Sequence, residues 1–349
     1  MRRPTGIGLI ALLATAFLAP GSMCAFGATD PAAGCDFSFV MGTTSYAVPN
    51  LALPRKGVIF ADPTFHTYLV RVTDKAIDGY LGPGIENEYA KADPENSDGT
   101  LLILRGNAGA WYLYNPFTYR KLRRLSAFDA CGQEPEPRWD REDRSVFFYL
   151  CNARLRRYDT DTGRSTAVHD FAADVAGAAY VTTGSEGDAS LDRQYWCFMV
   201  KDAKWRLLSV LVYDRAANRV VGQKRTGFPD SLNWVGMDTS GTHCVVGYDS
   251  LSYTQVFSRN FRTRLNLPAG SNAHGDVALT RDGRDVFVYQ NNATDYIAMA
   301  DLVTGAETPL VRIPFQVNVD IGLHISGNAA ATPGWALMST FGSKRPPAG

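Results

Sequence analysis

The chain has 349 residues, with 35 Lys and Arg against 35 Asp and Glu, and is 45% hydrophobic and 20% charged. That balance excludes a globally disordered chain, and it excludes a strongly basic binder of nucleic acid or of anionic membrane surfaces. The 32 glycines, 18 prolines, 16 tyrosines and 18 phenylalanines point to turn-rich, aromatic β structure, which at this length is commonly one large architecture.

In chain order, Met1-Arg2-Arg3, the apolar run from Ile7 to Leu18, and the small residues Ala25 and Ala28 form the pattern of a cleavable signal peptide over residues 1–28. The run is too short for a spanning helix of roughly 20 residues. The expected protein is periplasmic or secreted, with no membrane span. An extension over 29–56 then precedes a folded domain at 57–349. After cleavage, Cys35, Cys131, Cys151, Cys197 and Cys244 remain, an odd set that allows at most two disulfides. Cys35–Cys131 is the first pair to consider. Cys151, Cys197 and Cys244 lie in apolar runs that suit buried free thiols, and a chain with no disulfide at all stays open. No C-x-x-C or C-x-x-H spacing occurs, so a zinc site built on thiolates is not expected.

One phrase recurs along the chain, a polar turn followed by an apolar strand. It is found at Asp98-Gly99-Thr100 before Leu101–Leu104, at Asp143-Arg144-Ser145 before Val146–Tyr149, and at Asp192-Arg193-Gln194 before Tyr195–Phe198. Further copies are Ser240-Gly241-Thr242 before His243–Val246 and Asp282-Gly283-Arg284 before Asp285–Tyr289. A spacing of about 45 residues is that of one four-stranded propeller blade. Tight turns such as Asp159–Gly163 and Asp301–Gly305 follow within each copy, where Asp caps the turn and Gly supplies positive φ. The fold class is therefore all-β, a β-propeller of four-stranded blades, with a two-sheet sandwich as the weaker reading. Residues 57–74 read as outer-strand material that closes the last blade. A sixth blade starts at Leu323 and runs to Thr340, and Lys344-Arg345-Pro346-Pro347 is not strand-like. The expectation is six or seven blades, the last incomplete at the C-terminus.

Phe60–Phe65 with Arg71-Val72-Thr73-Asp74, the stretch from Gly187 to Phe198, and His324-Ile325-Ser326-Gly327 with Pro333–Leu337 resemble exported bacterial seven-bladed propellers. These belong to the group that includes the oligogalacturonate lyases and the propeller of TolB. For the lyases, the resemblance implies a divalent metal held largely by histidines opposite a uronate carboxylate.

Blade geometry gathers the segments leading into the inner strands, and the hairpins joining second to third strands, at one mouth of the central channel. The candidates there are Tyr89, Lys91 and Arg138 for catalysis, and Glu136, Glu186, Asp188, Trp234, Gln290 and Asn291 for substrate contacts. His274, Asp276 and His324 are candidate ligands for Mn²⁺ or Zn²⁺. A metal-bound carboxylate would make the adjacent C–H acidic. Tyr89, Lys91 or a metal-free histidine would remove that proton, with Arg138 neutralising charge. Trp234 is the tryptophan expected to stack on a sugar, whereas Trp139, Trp196, Trp205 and Trp335 are expected to pack between blades. The alternative for the polar set is purely structural, with histidines capping inner strands and Glu136 and Glu186 paired internally. The expected function is a monomeric propeller binding a glycan or an envelope protein, with metal-assisted oligouronate lysis as the alternative.

Overall fold

The computed structural model describes residues 46–47, 49–229, 231–249, 253–268, 274–313, 321–328 and 332–342. The expected signal peptide, Cys24, Cys35, most of residues 29–56 and Lys344–Pro347 lie outside these. The N-terminal unit, ending at Val72, contains a hairpin of β1 (Ile59–Ala61) and β2 (Tyr68–Val70). Asp62 shapes its turn by accepting from the backbone N–H groups of Thr64 and Phe65 at 2.8 and 2.7 Å.

The unit from Thr73 onward opens with one helical turn, α1 (Lys75–Asp78), capped by Asp74 and ended by Gly79 at φ 59°. The rest is a β-propeller with five complete four-stranded blades. The first blade comprises β3 (Ile85–Glu86), β4 (Leu102–Gly106), β5 (Trp111–Tyr114) and β6 (Lys121–Arg124). The second comprises β7 (Arg138–Trp139), β8 (Val146–Cys151), β9 (Arg154–Asp159) and β10 (Arg164–Asp170). The third is β11 (Tyr180–Thr182), β12 (Tyr195–Lys201), β13 (Leu207–Asp214) and β14 (Arg219–Lys224). The fourth is β15 (Leu232–Met237), β16 (His243–Tyr248), β17 (Gln255–Ser258) and β18 (Arg264–Asn266). The fifth is β19 (Asp276–Leu279), β20 (Asp285–Asn291), β21 (Tyr296–Asp301) and β22 (Glu307–Arg312). A sixth repeat contributes the pair β23 (Ile321–Ser326) and β24 (Leu337–Gly342). The expected count of six or seven blades is thus corrected to five complete ones, because the sixth repeat pairs only two strands among the described residues.

Each second strand is apolar throughout because it is buried on both faces, and its period of two sends alternate side chains to different neighbours. On β8, Val146, Phe148 and Leu150 pack toward the third blade with Trp196, Phe198 and Leu211. Phe147, Tyr149 and Cys151 pack toward the first blade with Trp111, Leu113 and Phe128. The same division recurs around the ring. Cys197, Met199, Cys244 and Val246 share the gap between the third and fourth blades, and Trp234, Val245, Phe287 and Tyr289 share the next. At the axis the inner segments nearly touch: a Cβ on Gly187 would fall 1.8 Å from the Val235 carbonyl oxygen. The turn chemistry is as the repeat predicts. Asp159 accepts from the Thr162 N–H and hydroxyl at 2.9 Å each, ahead of Gly163 at φ 69°.

The expected Cys35–Cys131 pair and the free strand thiols are overturned, whereas the limit of two disulfides holds among the described residues. Cys131 pairs with Cys151, and Cys197 pairs with Cys244. The second bond crosses between blades, joining β12 to β16 through the core. Among the described residues no cysteine is free. Treating cysteines in apolar strands as isolated thiols missed that two such strands face each other across one gap.

Candidate functional site

The inner segments of the first five blades bring charged side chains to one small channel cavity of about 40 Å³. Lys91, Arg138, Glu186, Asp188, Trp234 and Asp276 all line it, so these residues converge despite their separation in sequence. The Lys91 Nζ lies 2.7 Å from Glu186 Oε2, with both side chains buried, and 4.5 Å above the Trp234 ring. The Asn233 side-chain amide donates to the other Glu186 oxygen at 3.4 Å.

Arg138 spends its donors on the fold. Its Nη1 reaches Glu88 Oε2 at 2.5 Å and the Pro137 carbonyl at 3.0 Å. Its Nε and Nη2 reach the Gly187 carbonyl at 3.2 and 3.1 Å, and Nη2 reaches that of Ser185 at 3.3 Å. The guanidinium ties the second blade to the loop of the third and to Glu88 of the first while lining the cavity. Burial, outweighing the adjacent Arg138 cation, pushes the Glu88 carboxyl well above the usual carboxylate range, and its Oε1 is buried without a hydrogen-bond partner. Asp188 accepts from Arg193 at 2.7 Å and lies 3.9 Å from Arg138. Burial pushes that carboxyl up, but Arg193, Arg138 and Arg141 outweigh it and hold it below the usual range. Asp276 differs. Burial raises its carboxyl to about 6 against the pull of Lys91, while its oxygens accept from the Val277 and Gly327 N–H groups at 2.9 and 2.8 Å.

Beside this network, the Tyr89 hydroxyl is 3.3 Å from His324 Nδ1, and the His324 and His274 rings meet edge to face at 5.3 Å between centroids. Burial lowers the proton affinity of His324, and a protonated His274 would lower it further. Burial, with Glu186 nearby, pushes the Tyr89 phenol upward, which makes it a poor source of phenolate. Among the described residues no three His, Cys, Asp or Glu side chains converge as a coordination set. The two imidazoles are together, but Asp276 is engaged by backbone amides, so the residues present do not fit the expected three-ligand metal site.

Four residues expected to contact substrate are engaged within the fold. Glu136 is 2% exposed, and its carboxylate is taken up by the hydroxyls of Thr182 and Thr183 and the Thr183 N–H, locking the second blade to the third. Gln290 and Asn291 are the last two residues of β20, at its hairpin with β21. The Gln290 amide donates to the Asn292 side chain at 2.5 Å and that of Asn291 to Glu307 at 2.8 Å, away from the axis. Trp234, expected to be open to a sugar, is 1% exposed and stacks on Phe287 between the fourth and fifth blades. Its indole lies directly over Gly247.

Residues not singled out from the sequence complete the network. Arg193, held at φ 57° in the turn before β12, donates to the Trp139 carbonyl at 2.8 Å besides pairing with Asp188. Arg141 pairs with Asp93 at 2.8 Å. Both arginines lie in the repeated turn region, where their charge reads as an exposed loop feature. Their reach back into the channel has no signature in the local pattern.

No protein-family model matches the sequence, and no curated protein matches it. Among solved structures, the chain is similar to an oligogalacturonate lyase from Vibrio parahaemolyticus, with TM-score 0.56 and 13% identity, covering 78% of this chain and 74% of that one. It is more distantly similar to Kuenenia stuttgartiensis hydrazine synthase, with TM-score 0.39 and 14% identity, covering 60% of this chain and 63% of that one. A dihydro-haem d1 dehydrogenase gives TM-score 0.40 and 16% identity, covering 65% of this chain and 46% of that one. At 13% identity the likeness to the lyase is one of fold: the chain is a β-propeller similar in architecture to that enzyme.

Proposed function

We propose that this chain is an exported, monomeric β-propeller that binds a glycan or protein ligand at its channel mouth without turning it over. The observation that carries this reading is that the channel's charges are already spent on one another. Glu186 is held by Lys91, Asp188 by Arg193, and Glu88 by Arg138. A catalytic base or substrate clamp needs a group that is poised for the ligand, and such internal pairing stiffens a scaffold instead. Export is supported by the leader-like N-terminus and by the two disulfides, which persist in oxidising compartments. Among the described residues no helix is long and apolar enough to cross a membrane.

The second reading, oligouronate lysis by β-elimination, is favoured by one observation, the cluster of Tyr89, His324 and His274. There a neutral His324 would accept the proton α to the uronate carboxylate. The test separates the two. The folded protein, supplied with Mn²⁺ or Zn²⁺, is incubated with uronate-containing polysaccharides while the absorbance of unsaturated products is followed. A flat trace across the panel is expected. A rising trace that His274→Ala and His324→Ala abolish, together with specific metal uptake, would replace the binding reading with the lyase.

A further inference from the structure

In four of the blades the hairpin joining the second to the third strand turns on a residue with left-handed backbone. In the first, second and fifth blades that position is filled by Gly109 at φ 78°, Asn152 at φ 56° and Asp295 at φ 60°, the residue types that tolerate it. In the third blade it is filled by Trp205 at φ 62°. A bulky aromatic is uncommon in this conformation, which Tyr119 at φ 55° and Phe261 at φ 56° also adopt, so it is the exposure and stacking of Trp205 that set it apart. Trp205 does not pack between blades, as expected from the sequence, but is 45% exposed. One face of its indole lies flat on Tyr180, with centroids 4.7 Å apart and planes 12° apart, and Lys201 Nζ stands 5.5 Å from the indole centroid.

The hairpin that carries Trp205 is closed by its own hydrogen bonds. Asp202 Oδ1 accepts from the Lys204 and Arg206 N–H groups at 2.9 and 3.0 Å, and its Oδ2 pairs with Arg206 at 2.6 Å. The Trp205 N–H donates to the Asp202 carbonyl at 2.9 Å, closing the turn. Tyr180 begins β11 and pairs directly with Lys201, so the stack sits at the same end of its blade as His274 and Asp276 do in theirs. A pre-ordered aromatic pair with the Lys201 ammonium over the indole at 5.5 Å suits a pyranose that stacks its C–H face on the exposed part of the ring while its hydroxyl or carboxylate substituents meet the cation.

We propose that Trp205, backed by Tyr180 and flanked by Lys201, is the stacking platform on which a pyranose ring of a glycan is held at the channel mouth. This rests on the binding reading above and names the ligand class and its anchor. The test measures binding of chitotriose, cellotetraose and trigalacturonate to the full protein by calorimetry, and repeats it on Trp205→Asn and Trp205→Phe, with thermal melting of each. At least one sugar should bind, Trp205→Asn should weaken it by ~10-fold or more, as loss of an aromatic anchor does, and Trp205→Phe should keep most of the affinity. Trp205→Asn should melt no lower than the parent, since asparagine suits the left-handed turn, whereas a packing role would lower the melting temperature. Binding that survives Trp205→Asn overturns the platform and leaves the binding reading intact. No binding by any of the three sugars overturns both the platform and the glycan form of that reading.

Discussion

Replacing Arg138 with methionine should destabilise the protein by about 3–5 kcal/mol, the usual cost of removing one partner of a buried ion pair. The loss has two parts. Glu88, with a side chain 4% exposed, keeps its burial but loses its cation, and the Gly187 and Ser185 carbonyls lose their donors. The loss should deepen as pH rises above about 8, where Glu88 of the parent ionises beside Arg138 while the stranded Glu88 of the variant, its carboxyl pushed higher still, keeps a proton that the unfolded chain has released. Urea unfolding at several pH values reads this directly, and adding Glu88→Gln to Arg138→Met should recover part of the stability. A group kept for catalysis would show the opposite pattern, with unchanged stability.

The second large effect is expected at the bond between blades. Cys197 and Cys244 are 47 residues apart, and closing a loop of that size lowers the entropy of the unfolded chain by about 4 kcal/mol in the loop-entropy treatment. The double variant Cys197→Ser with Cys244→Ser should lose stability of that order, in part because two hydroxyls then occupy an apolar gap. The Cys131–Cys151 pair closes only 20 residues and should contribute about 3 kcal/mol on the same basis. Urea unfolding of each pairwise variant, beside the oxidised parent, checks both magnitude and order. A Cys197/Cys244 variant as stable as the parent would mean that the blades are held by packing alone.

The architecture was legible because its signals are local. The repeated turn, the apolar second strand and the Asp–Gly hairpins each announce themselves within ten residues, and they correspond to β8, β12, β16 and β20 and to the Asp159 and Asp301 turns. What was not legible depends on which side chain faces which across a gap. The two strand cysteines carried a usable clue. Asp192 and Ser240, equivalent positions of the repeat, are 48 apart, whereas Cys197 and Cys244 are 47 apart. An offset of one places them on opposite faces of successive strands, pointing into the shared gap.

The exposure of the tryptophans departs from expectation for a similar reason. Trp234 is buried because Gly247 lies across the sheet from it and leaves room for the indole. Trp205 is exposed because it sits among Asp202, Lys204 and Arg206 in a hairpin, outside any apolar run. Trp335, also expected to pack, is 62% exposed ahead of β24. The convergence of Lys91, Arg138, Glu186, Asp188 and Asp276 followed from blade stacking. Their mutual pairing did not, since a sequence fixes no distances between residues brought together from separate blades. Glu136 illustrates the limit: its partners Thr182 and Thr183 are ordinary strand residues with no mark of the role.

Internal satisfaction of the channel is tested most directly by a double-mutant cycle on Lys91 and Glu186. Lys91→Met, Glu186→Gln and the double variant are unfolded in urea, and the interaction energy is taken from the departure from additivity. A buried contact of 2.7 Å predicts coupling of about 1–3 kcal/mol, with the double variant more stable than the sum of the single losses implies. Strictly additive losses would mean that Glu186 is not committed to Lys91, and the channel would then hold a carboxylate open to substrate.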